Sequence, residues 1–293
     1  LIPSKLCPKD KIGIISPASP VEESEIKKGI ALLKDRGFKI ELGENIYARD
    51  GYLAGSEEKR IYDLHRMFED KQIKAIFCSR GGYGSLRLLD KIDYEIIKKN
   101  PKIFLGYSDI TALLLAINKK TGLVTFHGPL LKDIHKTEPE DLKISFEILE
   151  GKRSVLYLSS SEVISSGKAE GRIFGGNLSV ICHLIGTEFL PCLENSILFL
   201  EETAEKPYKI DRMFTYLRLS GIKEKIAALL LGSFDVDKKA LLRIISDFIR
   251  HDIPVMINIP VGHRRRNIVF PLGIRAEVDT EKKILRFLED PVR

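Results

Sequence analysis

The sequence predicts an α/β protein whose first half is a parallel sheet covered by helices, followed by a smaller mixed domain. Three observations carry this. Short, continuously apolar runs alternate with amphipathic helical patterns over the first 150 residues. Such strands are buried on both faces, as strands of a parallel sheet between two helix layers are. Glycine and serine gather where the apolar runs stop, at the strand ends where open α/β sheets place their ligands. Beyond residues 151–167, a linker-like stretch holding Ser159, Ser160 and Ser161, the regular rhythm is lost. The expected division is therefore 1–150, a linker over 151–167, and 168–293.

The first strand is expected over residues 12–16. Ser19-Pro20-Val21-Glu22 then reads as a capping box with proline at the first helical position. Ile26, Ile30 and Leu33 share one face of the following helix, and Gly37 ends it. A strand over 38–42 precedes a glycine-rich loop. A helix over 56–70 turns Ile61, Leu64 and Phe68 inward. Strands are expected at 75–79, 103–105 and 124–126, and a helix over 140–150 with Thr137 as its cap. The second half shows short strands near 171–174, 197–200, 227–231 and 255–257. Helices near 178–185, 210–219 and 238–250 separate them. A hairpin joins 274–278 to 284–288 around Thr280-Glu281-Lys282.

The chain has 293 residues, 44% hydrophobic and 30% charged, with a net charge of +6 spread through interleaved acids and bases. That pattern gives no support for a nucleic-acid or membrane-surface partner. No apolar run approaches the ~20 residues needed to cross a bilayer. No basic segment followed by an apolar signal core opens the sequence. Cys7, Cys78, Cys182 and Cys192 show no metal-ligand spacing and read as reduced thiols, Cys78 and Cys182 as core residues. A cytoplasmic location and the absence of a metal are expected.

The candidate chemistry starts at Gly106-Tyr107-Ser108-Asp109-Ile110-Thr111. An apolar strand stops at Gly106, and a helical pattern through Ile110, Leu113, Leu114 and Ile117 begins just after Ser108. A sharp strand-to-helix turn exposes the serine oxygen beside unpaired helix N–H groups and the positive end of the helix dipole. A plain N-cap is the simpler reading of the same serine. Arg80-Gly81-Gly82-Tyr83-Gly84 lies between a strand and a helix and reads as a tight turn, a phosphate loop or half of an oxyanion hole. It lacks both G-x-G-x-x-G and a GK[ST] ending. In the oxyanion reading, an N–H near Gly82 acts with that of Asp109. His263, after Gly262 and before Arg264, Arg265 and Arg266, is the candidate general base, with His127 at another strand end as its rival. His65, His135, His183 and His251 read as structural or exposed. Glu201 and Glu202 end an apolar strand, where a carboxylate can orient an imidazole. Arg80, Tyr83 and Arg264 are candidates for substrate binding, the arginines beside His263 through paired N–H bonds to a carboxylate.

Together these segments resemble the LD-carboxypeptidase family of serine peptidases, which includes muropeptide LD-carboxypeptidases and microcin C immunity peptidases. The resemblance rests on residues 12–19, 79–89 and 106–111, on Thr125-Phe126-His127-Gly128-Pro129 and on Gly175-Gly176-Asn177-Leu178. Leu200-Glu201-Glu202, residues 207–212 and Pro260-Val261-Gly262-His263 complete it. It implies a flavodoxin-like N-terminal domain and a β-rich, barrel-like C-terminal one. It further implies a triad of Ser108, Glu201 and His263, an oxyanion hole around Gly82 and Asp109, no cofactor, and a homodimer. The expected reaction is release of a terminal D-amino acid from a small murein peptide. The alternatives are cleavage of a peptidyl-nucleotide antibiotic and non-catalytic binding of a small anion. A glutamine-amidotransferase-like enzyme fits less well, because its nucleophile would be a cysteine where this chain has Ser108.

Overall fold

A computed structural model of the chain describes residues 1–249 and 252–293. Arg250 and His251 lie outside them, and with them the reading of His251 and the end of the helix expected over 238–250. The first sheet is built from β1 (Lys11–Ile15), β2 (Lys39–Leu42), β3 (Ile73–Cys78), β4 (Ile103–Gly106) and β5 (Thr125–His127). All pair in parallel, in the order β5-β4-β3-β1-β2. The intervening helices are α1 (Glu23–Asp35), α2 (Glu57–Glu69), α3 (Tyr94–Lys99) and α4 (Thr111–Thr121), and α5 (Pro139–Leu149) follows β5. Parallel pairing brings the carboxyl ends of β1, β3 and β4 to one edge, where Ser16, Ser79 and Gly106 begin the loops of interest.

Two caps differ from expectation. α1 begins at Glu23, and its capping box is made by Glu22 and Glu25. The Ser19 hydroxyl is already engaged, accepting the Tyr83 N–H at 3.1 Å, so the serine holds the glycine-rich loop and caps no helix. α5 is entered through Glu138 with Pro139 in its first turn and no side-chain cap. Proline there removes one of the N–H groups that Thr137 would have served.

The second half contains β6 (Val155–Tyr157), β7 (Glu162–Ser165), β8 (Lys168–Asn177), α6 (Leu178–Leu184), β9 (Ser196–Glu202), α7 (Pro207–Leu219) and α8 (Ile222–Lys225). It continues with β10 (Ala228–Phe234), α9 (Lys238–Ile245), β11 (Val255–Ile257), β12 (Phe270–Leu272), β13 (Arg275–Asp279) and β14 (Ile284–Phe287). Eight strands form one sheet in the order β6-β14-β13-β8-β9-β10-β11-β7. Its outermost strands, β6 and β7, both come from 151–167, so that stretch is not a free linker. β7 pairs antiparallel with β11, Val163 opposite Met256 and Glu162 opposite Ile257, and so covers the β11 edge. The same two strands force curvature. Laid flat, the eight strands would put their edges about 34 Å apart. The connection through residues 158–161 reaches about 18 Å at most. The sheet must therefore curl on itself, which is the physical content of its barrel-like form.

The halves share an apolar core and a seam. β12 leaves the second half and pairs antiparallel with β5, opposing Phe270 to His127. Behind the turn that carries Ser108, Asn177 N donates to Thr111 Oγ1 at 3.1 Å. Gly176 beside it has φ +136°, and a Cβ there would lie 2.6 Å from Thr111 Oγ1. A side chain at this position meets both backbone strain and a fixed neighbour. Gly176→Ala is expected to lower stability by about 1–3 kcal/mol in denaturant unfolding.

Candidate active site

The site begins at the turn between β4 and α4. Tyr107 is extended, and Ser108 then adopts φ +63°, a left-handed conformation that costs a non-glycine residue about 1–3 kcal/mol. A single helical turn (Ser108–Ile110) leads directly into α4. Residues 111–117 are all buried, so the helix cannot move outward to relax the serine. The sharp turn read from the sequence is present, and the structure adds that it is strained at Ser108.

His263 reaches this serine from the other half of the chain. Its Nε2 lies 3.1 Å from Ser108 Oγ, and its Nδ1 lies 2.7 Å from Glu201 Oε2. Glu201 is fully buried at the end of β9, where it directly follows four apolar strand residues. Glu202 points elsewhere, accepting from Asn177 Nδ2 at 3.0 Å and from Ser179 N at 2.8 Å at the start of α6. The acid beside the imidazole is thus Glu201. The His263 loop is fixed by its own backbone, with His263 N donating to Ser233 Oγ at 3.0 Å. Arg266 grips the buried Asp141 of α5 through Nε and Nη2 at 3.1 and 3.0 Å. Arg265 pairs with Glu138 at 3.2 Å. Two of the three arginines expected to face a substrate carboxylate therefore fasten the His263 loop to the first half instead.

The two rival histidines are separated by their surroundings. Burial alone pulls the His263 imidazole down. The hydrogen bond and charge of Glu201, with Glu202 and Asp235 farther off, outweigh it and set His263 above its ordinary value. His127 is completely buried between Tyr107 and Phe199, with ring centroids 5.8 and 5.0 Å away, and neither ring nitrogen has a partner. Burial, and then the charge of His263, lower its pKa to about 3. It stays neutral and cannot reach a substrate.

The glycine-rich loop runs against the serine. A Cβ on Gly81 would lie 2.9 Å from Ser108 Cβ and 3.1 Å from its Oγ, so no larger residue permits this approach. Gly82 follows with φ +101°. The N–H of Asp109 belongs to the first helical turn, where such groups lack an intrahelical partner. The Asp109 side chain turns back under the loop and accepts Ser85 N at 2.8 Å. Burial raises its pKa, opposed by that bond and by Arg60. Arg60, 2% exposed on α2, was missed in the sequence, although it falls on the same helical stripe as Leu64, Met67 and Phe68.

The remaining candidates are less directly placed. Arg80 Nη1 donates to the Pro20 carbonyl at 3.1 Å and lies 3.9 Å from Glu25, so its charge is already partnered. The Tyr83 ring is half exposed and packs edge-on against Tyr52 at 5.6 Å. Arg264 Nη2 donates to the Phe234 carbonyl at 2.8 Å. It lines, with His263, Tyr107, Lys136, Asp133 and Thr203, a cavity of about 340 Å³. Among the described residues, no three or more His, Cys, Asp or Glu side chains cluster to hold a metal ion. Among them too, no helix is long and apolar enough to cross a membrane.

A parallel sheet with its chemistry at the carboxyl edge, completed by residues of a curled second sheet, is the architecture of a two-part α/β peptidase. The chain belongs to the LD-carboxypeptidase family: residues 12–128 match the family's N-terminal domain and residues 170–278 its C-terminal domain. It is 36% identical over 295 residues to a probable murein peptide carboxypeptidase of Bacillus subtilis, covering 96% of this chain and 92% of that protein. It is 29% identical over 330 residues to the microcin C7 self-immunity protein MccF of Escherichia coli, covering 99% and 96%. An MccF-like protein from Bacillus anthracis superposes with a TM-score of 0.90 at 30% identity, over 98% of this chain and 99% of that one. A muramoyltetrapeptide carboxypeptidase from Oxalobacter formigenes gives 0.84 at 28% identity, over 96% and 100%.

The environments of the two imidazoles make a direct prediction. In an NMR titration, His263 should protonate above the ordinary histidine value of about 6.5. Glu201→Gln should move that midpoint down, because burial is then opposed only by the more distant Glu202 and Asp235. His127 should show no protonation between pH 5 and 8, and a midpoint for it in that range would contradict the structure.

Proposed function

We propose that this peptidase is a serine-type LD-carboxypeptidase that releases the terminal D-alanine from a murein tetrapeptide. The observation that carries the proposal is the unbroken series Ser108 Oγ, His263 Nε2, His263 Nδ1 and Glu201 Oε2, with separations of 3.1 and 2.7 Å. In the forward step Ser108 attacks the carbonyl of the L-centre, and His263 takes its proton. Glu201 fixes the ring orientation and stabilises the imidazolium. The N–H groups of Gly82 and Asp109 receive the developing negative charge. His263 then protonates the departing amine of the D-residue, leaving an acyl-enzyme on Ser108. Water activated by the same imidazole hydrolyses that ester.

Arg264, in the cavity beside His263, would meet the terminal carboxylate, with Arg80 and Tyr83 at the opposite loop. A cytoplasmic role in recycling cell-wall peptides and a homodimeric assembly complete the reading. The murein substrate is favoured over a peptidyl-nucleotide antibiotic by the higher identity to the Bacillus subtilis relative. The absence of tryptophan, the widest aromatic platform for a nucleobase, also favours it.

Release of D-alanine from a defined L,D-tetrapeptide, followed by mass spectrometry, tests the assignment. Ser108→Ala and His263→Ala should each lower turnover by about 10⁶-fold, whereas Glu201→Gln should lower it by about 10⁴-fold. Glu202→Gln should be much milder. Near-normal turnover in a folded Ser108→Ala protein would overturn the mechanism. Preferential cleavage of an aminoacyl-adenylate mimic would overturn the substrate.

A further inference from the structure

One peptide unit of the glycine-rich loop is held at both ends by buried, oppositely charged side chains. The carbonyl oxygen of Gly84 accepts from Arg60 Nη1 at 2.9 Å. The N–H of the same unit, carried by Ser85, donates to Asp109 Oδ2 at 2.8 Å. Arg60 comes from α2, and its Nη1 also binds the Pro17 carbonyl at 2.9 Å, at the end of β1. Asp109 directly follows Ser108. The residues are 2% and 5% exposed, and their charges attract.

Stability alone is a poor reason for this arrangement. Two charges are taken out of water here, and apolar replacements of similar volume commonly do as well or better. Arg60 Nε and Nη2 are moreover buried without a partner, which adds to the cost. What the pair achieves is geometric. The cation polarises the carbonyl, the anion polarises the N–H of the same unit, and each bond strengthens the other. One link ties the loop to β1 and α2, and the other ties it to the nucleophile turn. Three residues earlier in the same loop, Gly81 packs so close to the serine that a Cβ on it would lie 2.9 Å from Ser108 Cβ.

We propose that Arg60 and Asp109 are a pair of positioning residues. By clamping the Gly84–Ser85 peptide they hold the loop against the Ser108 turn, so that the N–H groups of Gly82 and Asp109 converge on one point before substrate arrives. The benefit lies in the transition state and not in ground-state binding, because the donors are then aligned with the oxyanion in advance. The two side chains touch no reacting atom. It acts through the loop.

This inference rests on the serine-peptidase reading, and its test separates the two. In the full chain, the rate at which a fluorophosphonate labels Ser108 is measured alongside kcat and KM for an L,D-tetrapeptide. Asp109→Ala and Arg60→Met should each slow labelling and lower kcat by about 10–100-fold, with KM within about threefold. Asp109→Asn and Arg60→Lys, which keep an acceptor and a donor, should each recover part of the loss. The double variant Arg60→Met/Asp109→Ala should be within about threefold of the slower single variant, because both act on one peptide unit. A folded Asp109→Ala protein labelled at the wild-type rate would overturn the proposal, as would losses that simply multiply in the double variant. Should Arg60→Met not fold, the Asp109→Ala and Asp109→Asn pair decides the matter alone. Wild-type protein that is labelled but leaves the tetrapeptide intact counts against the murein substrate only, and the labelling rates still judge the clamp.

Discussion

The rest of the structure depends on a hydrogen-bonded contact made across the seam between two sheets. A serine hydroxyl presented by the first meets an imidazole presented by the second, and a fully buried carboxylate backs the imidazole. A separation near 3 Å between groups about 155 residues apart in sequence tolerates little slack, and misplacement by about 1 Å can cost such a site 10²-fold in rate. The seam is correspondingly over-determined. β12 is laid onto β5, Asn177 is bonded to the first residue of α4, and the Arg266–Asp141 fork fastens the His263 loop to α5. The strain held at Ser108 persists because the elements on either side of it are buried and paired.

The same seam sets the electrostatics. Desolvation acts on both imidazoles, yet it leaves one neutral under all ordinary conditions and is overruled at the other. The difference is the Glu201 carboxylate, which lies within hydrogen-bonding distance of His263, whereas His127 has aromatic faces for neighbours. A base with a raised pKa works once it is deprotonated, so activity is expected to fall as the pH drops through the His263 midpoint. In the proposed mechanism, the charge that raises this midpoint also stabilises the imidazolium that forms. Proton affinity and transition-state stabilisation are two aspects of one interaction.

Much of this was legible in the sequence, and for identifiable reasons. Strand–helix alternation survives in the apolar pattern because both faces of a parallel sheet are buried, and the Gly106-to-Thr111 turn carries its chemistry in adjacent residues. The joint spacing of the glycine loop, the serine turn, Leu200-Glu201-Glu202 and Gly262-His263 was specific enough to point to the family. Features that depend on partners distant in sequence were not legible. The linker reading failed because β6 and β7 are too short to show a period and gain their role only from the strands they join. Ser19 looked like a helix cap because its real partner, Tyr83 N, lies on another loop. The arginines after His263 looked available because Asp141 and Glu138 sit more than a hundred residues earlier. Arg60 left one trace, a charge on an apolar helical stripe.

The claim on which all else turns is that the imidazole of the second half activates the hydroxyl of the first. The pH dependence of covalent labelling of Ser108 by a fluorophosphonate reports that activation without requiring any knowledge of the peptide. The structure requires the labelling rate to rise with pH through a midpoint above the ordinary histidine value, and to collapse at every pH when His263 is replaced by alanine. Labelling that is fast, flat with pH and indifferent to His263 would contradict it.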